Sequence, residues 1–124
     1  MTRATNAFGE LGERIAVRWL ERSGWKILHR RYRSGRRDID VVAERDGLIA
    51  FVEVKARSGM DFGGPLEAVH HHKRRELTKS AQVWIDRHGR AGENYRFDVM
   101  GVLLHQTRVY IRHVPGAFQI VTSS

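Results

Sequence analysis

The chain has 124 residues, no cysteine, and 22 Lys and Arg against 14 Asp and Glu, a formal charge of +8. That length suits one domain, residues 1–124, and the lack of cysteine excludes disulfides and thiolate metal sites. No apolar run approaches the roughly 20 residues of a membrane helix, and the first ten residues hold no signal-peptide core, so a cytoplasmic protein is expected, with no membrane partner and with nucleic acid as the natural polyanion for its charge.

Met1 to Ala7 reads as a frayed tail. A helix is expected from about Gly9 or Leu11 to Ser23, stopped by Gly24. At 100° per residue its apolar arc gathers Gly12, Ile15, Ala16, Val17, Trp19 and Leu20. Glu13 falls inside that arc, and a carboxylate so placed is costly unless it is paired or metal-bound. The other reading puts Glu13 at the arc's edge, reaching water or an arginine. The helical wheel leaves both open.

Trp25 to Arg33 follows as a first strand, then a loop at Ser34-Gly35. Lys26, Arg30, Arg31, Arg33, Arg36 and Arg37 form a basic segment with no acid between Lys26 and Arg37. Such a segment is either a solubilising face or a contact for phosphates. It leads directly into Asp38 and the most informative stretch of the chain.

Asp38 to Lys55 reads as two strands joined at Asp46-Gly47, a strong hairpin signal because both positions accept φ > 0. A two-residue loop there fixes a register that sets Asp40 against Glu53 and Asp38 against Lys55. All four side chains then share one face, with directly opposed Cβ atoms roughly 4.5–5.5 Å apart. Two carboxylates at that separation repel unless a cation lies between them, and Lys55 would stand beside whatever that cation binds. Two acids, a metal and a lysine suit phosphodiester cleavage. The blander reading is a hairpin with one charged, wet face.

Ser58 to Pro65 is glycine-rich and reads as a loop next to this site, either a connector or a segment that closes over substrate. A second helix is expected from about Pro65 or His71 to His88, its inner row being Val69, Lys73, Leu77, Ala81, Trp84 and Ile85. Lys73 is the charge on that row. It is a phosphate-contacting lysine or a stem that covers core with its ammonium in water. His70-His71-His72 cannot converge on one ion, since consecutive helical residues point about 100° apart. Arg74, Arg75 and Lys79 add basic surface. Strands follow at Tyr95–Leu104 and Arg108–Val114, the latter ended by Pro115-Gly116, and residues 120–124 read as a frayed end.

The strand acid, the Glu-x-Lys of the next strand and the glutamate of the preceding helix resemble the PD-(D/E)xK nuclease superfamily. More closely, the chain resembles the YraN-like family, UPF0102, which is similar to archaeal Holliday junction resolvases. The resemblance spans nearly the whole chain. It rests on Gly9, Gly12-Glu13, Gly24-Trp25, Asp38-Ile39-Asp40, Phe51-Val52-Glu53-Val54-Lys55, Arg57, Phe62-Gly63, Ala68-Val69, Lys73, Arg96-Phe97-Asp98-Val99 and Ala117-Phe118. It implies an α/β fold with a restriction endonuclease-like core, a central mixed sheet flanked by helices in the order α-β-β-β-α-β-β. Where the family has Gly-Glu-Ile-Asp this chain has Arg37-Asp38-Ile39-Asp40, which leaves the shorter Asp38 without an assigned role.

By that resemblance Asp40 and Glu53 are the metal-binding acids, joined by the Val54 carbonyl and by Glu13, and Lys55 is the lysine that positions the attacking water. The implied cofactor is Mg²⁺ or Mn²⁺. Arg30, Arg31, Arg33, Arg36, Arg37, Arg57, Lys73 and Arg74 are the expected nucleic-acid contacts, to DNA in preference to RNA and through backbone and shape more than base edges. The implied activity is endonucleolytic cleavage of branched or structured DNA, in a homodimer as in the resolvases. The alternatives are a nucleic-acid-binding module with a vestigial nuclease site, and a partner-binding protein whose charge serves solubility.

Overall fold

A computed structural model describes residues 3–34, 37–59 and 71–118. The elements are α1 (Arg3–Arg22), β1 (Lys26–Ser34), β2 (Arg37–Arg45), β3 (Leu48–Ser58), α2 (His71–His88), β4 (Asn94–His105) and β5 (Arg108–Phe118). This is the expected order. The strands form one mixed sheet in the order β1-β2-β3-β4-β5, antiparallel except for the β3–β4 pair. The connection between those parallel strands carries α2, as a parallel crossover requires. Arg36, an expected nucleic-acid contact, the glycine-rich stretch 60–65, and Phe62-Gly63 and Ala68-Val69, on which the resemblance partly rests, lie outside the described residues. So do His70, the side chains of His71 and His72, and residues 120–124.

The two helices cover opposite faces of the sheet. Ala16, Val17 and Leu20 of α1 pack with Val41, Ala43, Ala50, Val52, Met100 and Val102. Leu77, Ala81 and Trp84 of α2 pack with Ile39, Val42, Ile49, Phe51, Phe97 and Val99. Burial on both faces explains why β2, β3 and β4 are nearly continuous in Val, Ile, Phe and Ala instead of alternating with polar residues. Ser80, also buried, sits 2.8 Å from the carbonyl oxygens of both Ser34 and Arg37, tying α2 to the ends of β1 and β2.

Two ends differ from the sequence reading. α1 starts at Arg3, taking in residues expected to be frayed, because nothing in Arg3-Ala4-Thr5-Asn6-Ala7-Phe8 breaks a helix. Its other end is the expected one. Gly24 at φ +92° lets Trp25 N–H reach Leu20 O at 3.0 Å and its own N–H reach Glu21 O at 3.1 Å, which caps the last carbonyls. β5 does not stop at Pro115-Gly116 but continues to Phe118. An edge strand tolerates proline because its N–H side can face solvent. Gly116, at φ +63°, directs its N–H to Asp98 Oδ1 at 3.0 Å.

Asp98 is fully buried and fully partnered. Arg96 donates Nε to Oδ1 at 2.7 Å and Nη2 to Oδ2 at 2.8 Å, and His113 Nε2 lies 2.7 Å from Oδ2. Burial pushes its pKa up, but the bonds from His113, Arg96 and Gly116 outweigh it and hold the carboxyl below the usual range. This knot fastens β5 to β4.

α1 lies close against β3 at Gly12. A Cβ there would lie 2.6 Å from the Ala56 Cβ, whereas a Cβ on Gly9 of the same helix meets nothing within 4 Å. Gly12→Ala should therefore destabilise the protein by about 1–2 kcal/mol despite its better helix propensity. Gly9→Ala should stabilise by roughly 0.5–1 kcal/mol. Urea unfolding of both, with Ala56→Gly as the partner that restores Gly12→Ala, checks the contact.

Candidate functional site

The Asp46-Gly47 turn has φ of +51° and +79°, as a two-residue hairpin of this kind requires. It sets the expected register from Arg45↔Leu48 to Val41↔Val52, and the rungs end there. The next hydrogen-bonded rung would pair Ile39 with Val54. Instead the Asp40 carboxylate takes that position, accepting the Val54 N–H on Oδ2 at 2.8 Å. Asp40 and Glu53 are therefore not a rung of the ladder, and neither are Asp38 and Lys55. Asp38 lies opposite Arg33 on β1, with 3.6 Å between Oδ1 and Nε. The expected hairpin register runs three residues too far on each strand, to Asp38 and Lys55, because turn geometry fixes pairing only while the strands stay together.

The end of the β2–β3 rungs coincides with an irregularity in β2 itself. Val41 and Ala43 face α1 and Val42 faces α2, yet Ile39 also faces α2, so the alternation slips at Asp40. Across β1, the residue between the rungs Arg30↔Val41 and Tyr32↔Ile39 is Arg31, at φ +49°. That conformation is uncommon for a residue with a side chain and costs of the order of 1–3 kcal/mol. Both irregularities fall at one level of the sheet, where the acids gather.

Asp40 is pushed up to about 7, first by burial and then by the charge of Glu53. The Val54 N–H and Lys73 work against that rise, and Glu13 adds to it. So one small region holds Asp40, Glu53, Glu13 and Lys73. Glu53, with its side chain 11% exposed, is ion-paired to Lys73 Nζ. Glu13, 13% exposed, is gripped by Arg31, which donates Nε at 3.0 Å and Nη2 at 2.9 Å to Oε2. Of the two readings of Glu13, an arginine partner is the one observed. Lys55 is half-buried on β3, level with Gly101 of β4, two residues beyond Glu53.

Of the expected nucleic-acid contacts, Arg30, Arg31, Arg33, Arg57 and Arg74 are exposed and Arg37 is half-buried. Arg30 and Arg31 line an open cleft with Arg14 and Glu10 of α1. Arg14 lies outside the apolar arc of its helix, and no spacing in the sequence brings it to β1. The Lys73–Glu53 pair was likewise missed. Its one signal was a lysine on an apolar helical row.

The donors near Asp40 are hard oxygens. In a strand the N–H and C=O of one residue face the same neighbour, so the Val54 carbonyl also faces the side that β2 has left. Two carboxylates and a carbonyl suit Mg²⁺ or Mn²⁺. Among the described residues, however, no three His, Asp or Glu side chains converge as a ready-made metal cluster. Glu13 is turned to Arg31 instead.

The family model described as "Uncharacterised protein family UPF0102" matches residues 12–102. The chain belongs to the UPF0102 family. A UPF0102 protein of Chloroherpeton thalassium is 43% identical over 102 residues, covering 82% of this chain and 79% of its own. One from Myxococcus xanthus is 40% identical, covering 90% and 88%, and one from Trichlorobacter lovleyi is 39% identical, covering 95% and 94%. The match includes Glu13, Asp40, Glu53, Lys55 and Lys73 within its span. Among the described residues, no helix is long and apolar enough to cross a membrane.

A raised carboxyl pKa favours the folded state below the unfolded value near 3.8 and loses that advantage as pH rises through about 7. In EDTA, wild-type stability should fall between pH 4 and pH 8 by an amount on the order of 2–4 kcal/mol from this group. Asp40→Asn should flatten that slope and be the more stable protein at pH 8. Urea titrations across the range measure both, and an Asn variant weaker at pH 8 would contradict the assignment.

Proposed function

We propose that this UPF0102 member is a metal-dependent nuclease of the PD-(D/E)xK kind, acting on branched or structured DNA. The observation that carries the reading is the half-buried Asp40 carboxylate beside Glu53, at the point where the β2–β3 rungs end. A scaffold gains nothing by crowding two mutually repelling acids there, whereas a divalent cation would offset both.

Asp40 and Glu53 would hold the ion, with the Val54 carbonyl as a further oxygen. A bound Mg²⁺ or Mn²⁺ supplies Lewis-acid polarisation of a phosphate and a more acidic water. Asp40 Oδ2 keeps its bond to Val54 N–H and so has a fixed direction. Lys55, close along the strand, orients the attacking water or offsets charge developing on the phosphate oxygens. In the hydrolysis, a water oxygen bonds to phosphorus and one ester P–O bond breaks. The exposed Arg30, Arg33, Arg57 and Arg74 hold the flanking backbone, a contribution that weakens with salt.

A second reading has an observation of its own. Lys73 already neutralises Glu53, and Arg31 already neutralises Glu13. A nucleic-acid-binding module with a vestigial site would be stable in that arrangement without any ion.

Purified protein incubated with four-way-junction, flap and single-stranded DNA in Mg²⁺ or Mn²⁺ separates the two. The nuclease reading predicts cleavage that falls at least about a hundredfold in Asp40→Asn, Glu53→Gln and Lys55→Ala, each still binding the DNA. Salt-sensitive binding without cleavage of any substrate would establish the module instead.

A further inference from the structure

Lys73 belongs to a row on α2 that continues through Leu77, Ala81 and Trp84, all buried against the sheet. Those three fix the helix in place, so the lysine four residues before Leu77 is delivered toward the sheet at the level of Glu53. Its side chain is only 30% exposed, and its ammonium meets Glu53 Oε1. The reading of Lys73 as a stem with its charge in water does not describe this position.

The charges decide what the contact is for. Glu53 and Asp40 together carry two negative charges when ionised, and the Glu53 side chain, 11% exposed, is held by Lys73. Lys73 supplies one positive charge, which also favours the ionised form of Asp40. A divalent ion reaching the same carboxylates brings two. With Lys73 still on Glu53, two cations would press on one carboxylate and the site would carry excess positive charge. Lysine is a compact charge on a flexible stem, able to move several ångströms without moving its helix. A phosphate of the bound substrate would supply the compensating negative charge.

We propose that Lys73 is the site's exchangeable internal cation: it holds Glu53 in the metal-free protein, cedes it to a divalent ion, and turns to a substrate phosphate. This deepens the nuclease reading and rests on it. It makes Lys73 a competitor of the metal and a substrate contact only in the metal-bound state. A merely structural lysine would be neither.

The test is calorimetric titration of Mn²⁺ into wild type, Lys73→Met and Lys73→Arg at low salt. Removing the competing charge should tighten Mn²⁺ binding by about tenfold in Lys73→Met, and Lys73→Arg should bind no more tightly than wild type. Fluorescence anisotropy with a labelled junction DNA supplies the second arm. In Ca²⁺, Lys73→Met should bind DNA about five- to tenfold more weakly than wild type, while in EDTA the two should bind alike. Equal or weaker Mn²⁺ binding by Lys73→Met, with wild type binding the ion, would overturn the exchange and leave the nuclease reading standing. No Mn²⁺ binding by wild type would end both. If Lys73→Met does not fold, Lys73→Gln is titrated in its place and must bind Mn²⁺ more tightly than wild type.

Discussion

One hydrogen bond governs the layout of the site: the Asp40 carboxylate accepting the Val54 N–H at 2.8 Å. It ends the β2–β3 ladder by substituting a side-chain oxygen for the backbone carbonyl of Ile39. The two central strands part beyond it, and the opening collects what a continuous sheet would have kept apart. Glu53 and Lys55 lie along one lip, Asp40 on the other, Glu13 arrives from α1 and Lys73 from α2. The exchange leaves the Val54 N–H satisfied, so the break in the ladder is cheap. The strain sits nearby, in Arg31 at φ +49°.

Both helices serve that opening. α1 rests on the sheet so closely at Gly12 that the next residue, Glu13, is brought down toward Asp40. α2 is anchored by Trp84, whose indole N–H donates to His29 Nδ1 at 2.9 Å, and by Ser80 at the ends of β1 and β2. Accepting that bond requires a neutral His29 ring, and burial with the nearby His88 lowers its pKa accordingly. The Asp98 knot secures the far edge of the sheet. Its three partners come from β4 and β5, which keeps β5 in place through a proline.

Much of the fold was legible in the sequence because its signals are local. Gly24 capped the first helix, Asp46-Gly47 set the hairpin, and the row Leu77, Ala81, Trp84 marked the face of α2. The site was legible only in part. Turn chemistry brought Asp40 and Glu53 near each other, but it could not show that Asp40 would replace a ladder carbonyl. That depends on Ile39 and Arg31, and so on both helices. The Lys73–Glu53 pair joins residues distant in sequence, and so does the half of the Asp98 knot that His113 and Gly116 supply; no spacing rule links them. Glu13 stood out on its helix, yet the choice between a metal and an arginine partner needed the fold of β1.

The central claim is that Asp40 and Glu53 share one divalent cation. Crystals soaked in Mn²⁺ and measured at the manganese absorption edge test it directly. The account predicts a single anomalous peak within about 2–2.5 Å of an oxygen from each carboxylate. A peak elsewhere, or carboxylates still held only by Val54 and Lys73 at saturating Mn²⁺, would contradict it.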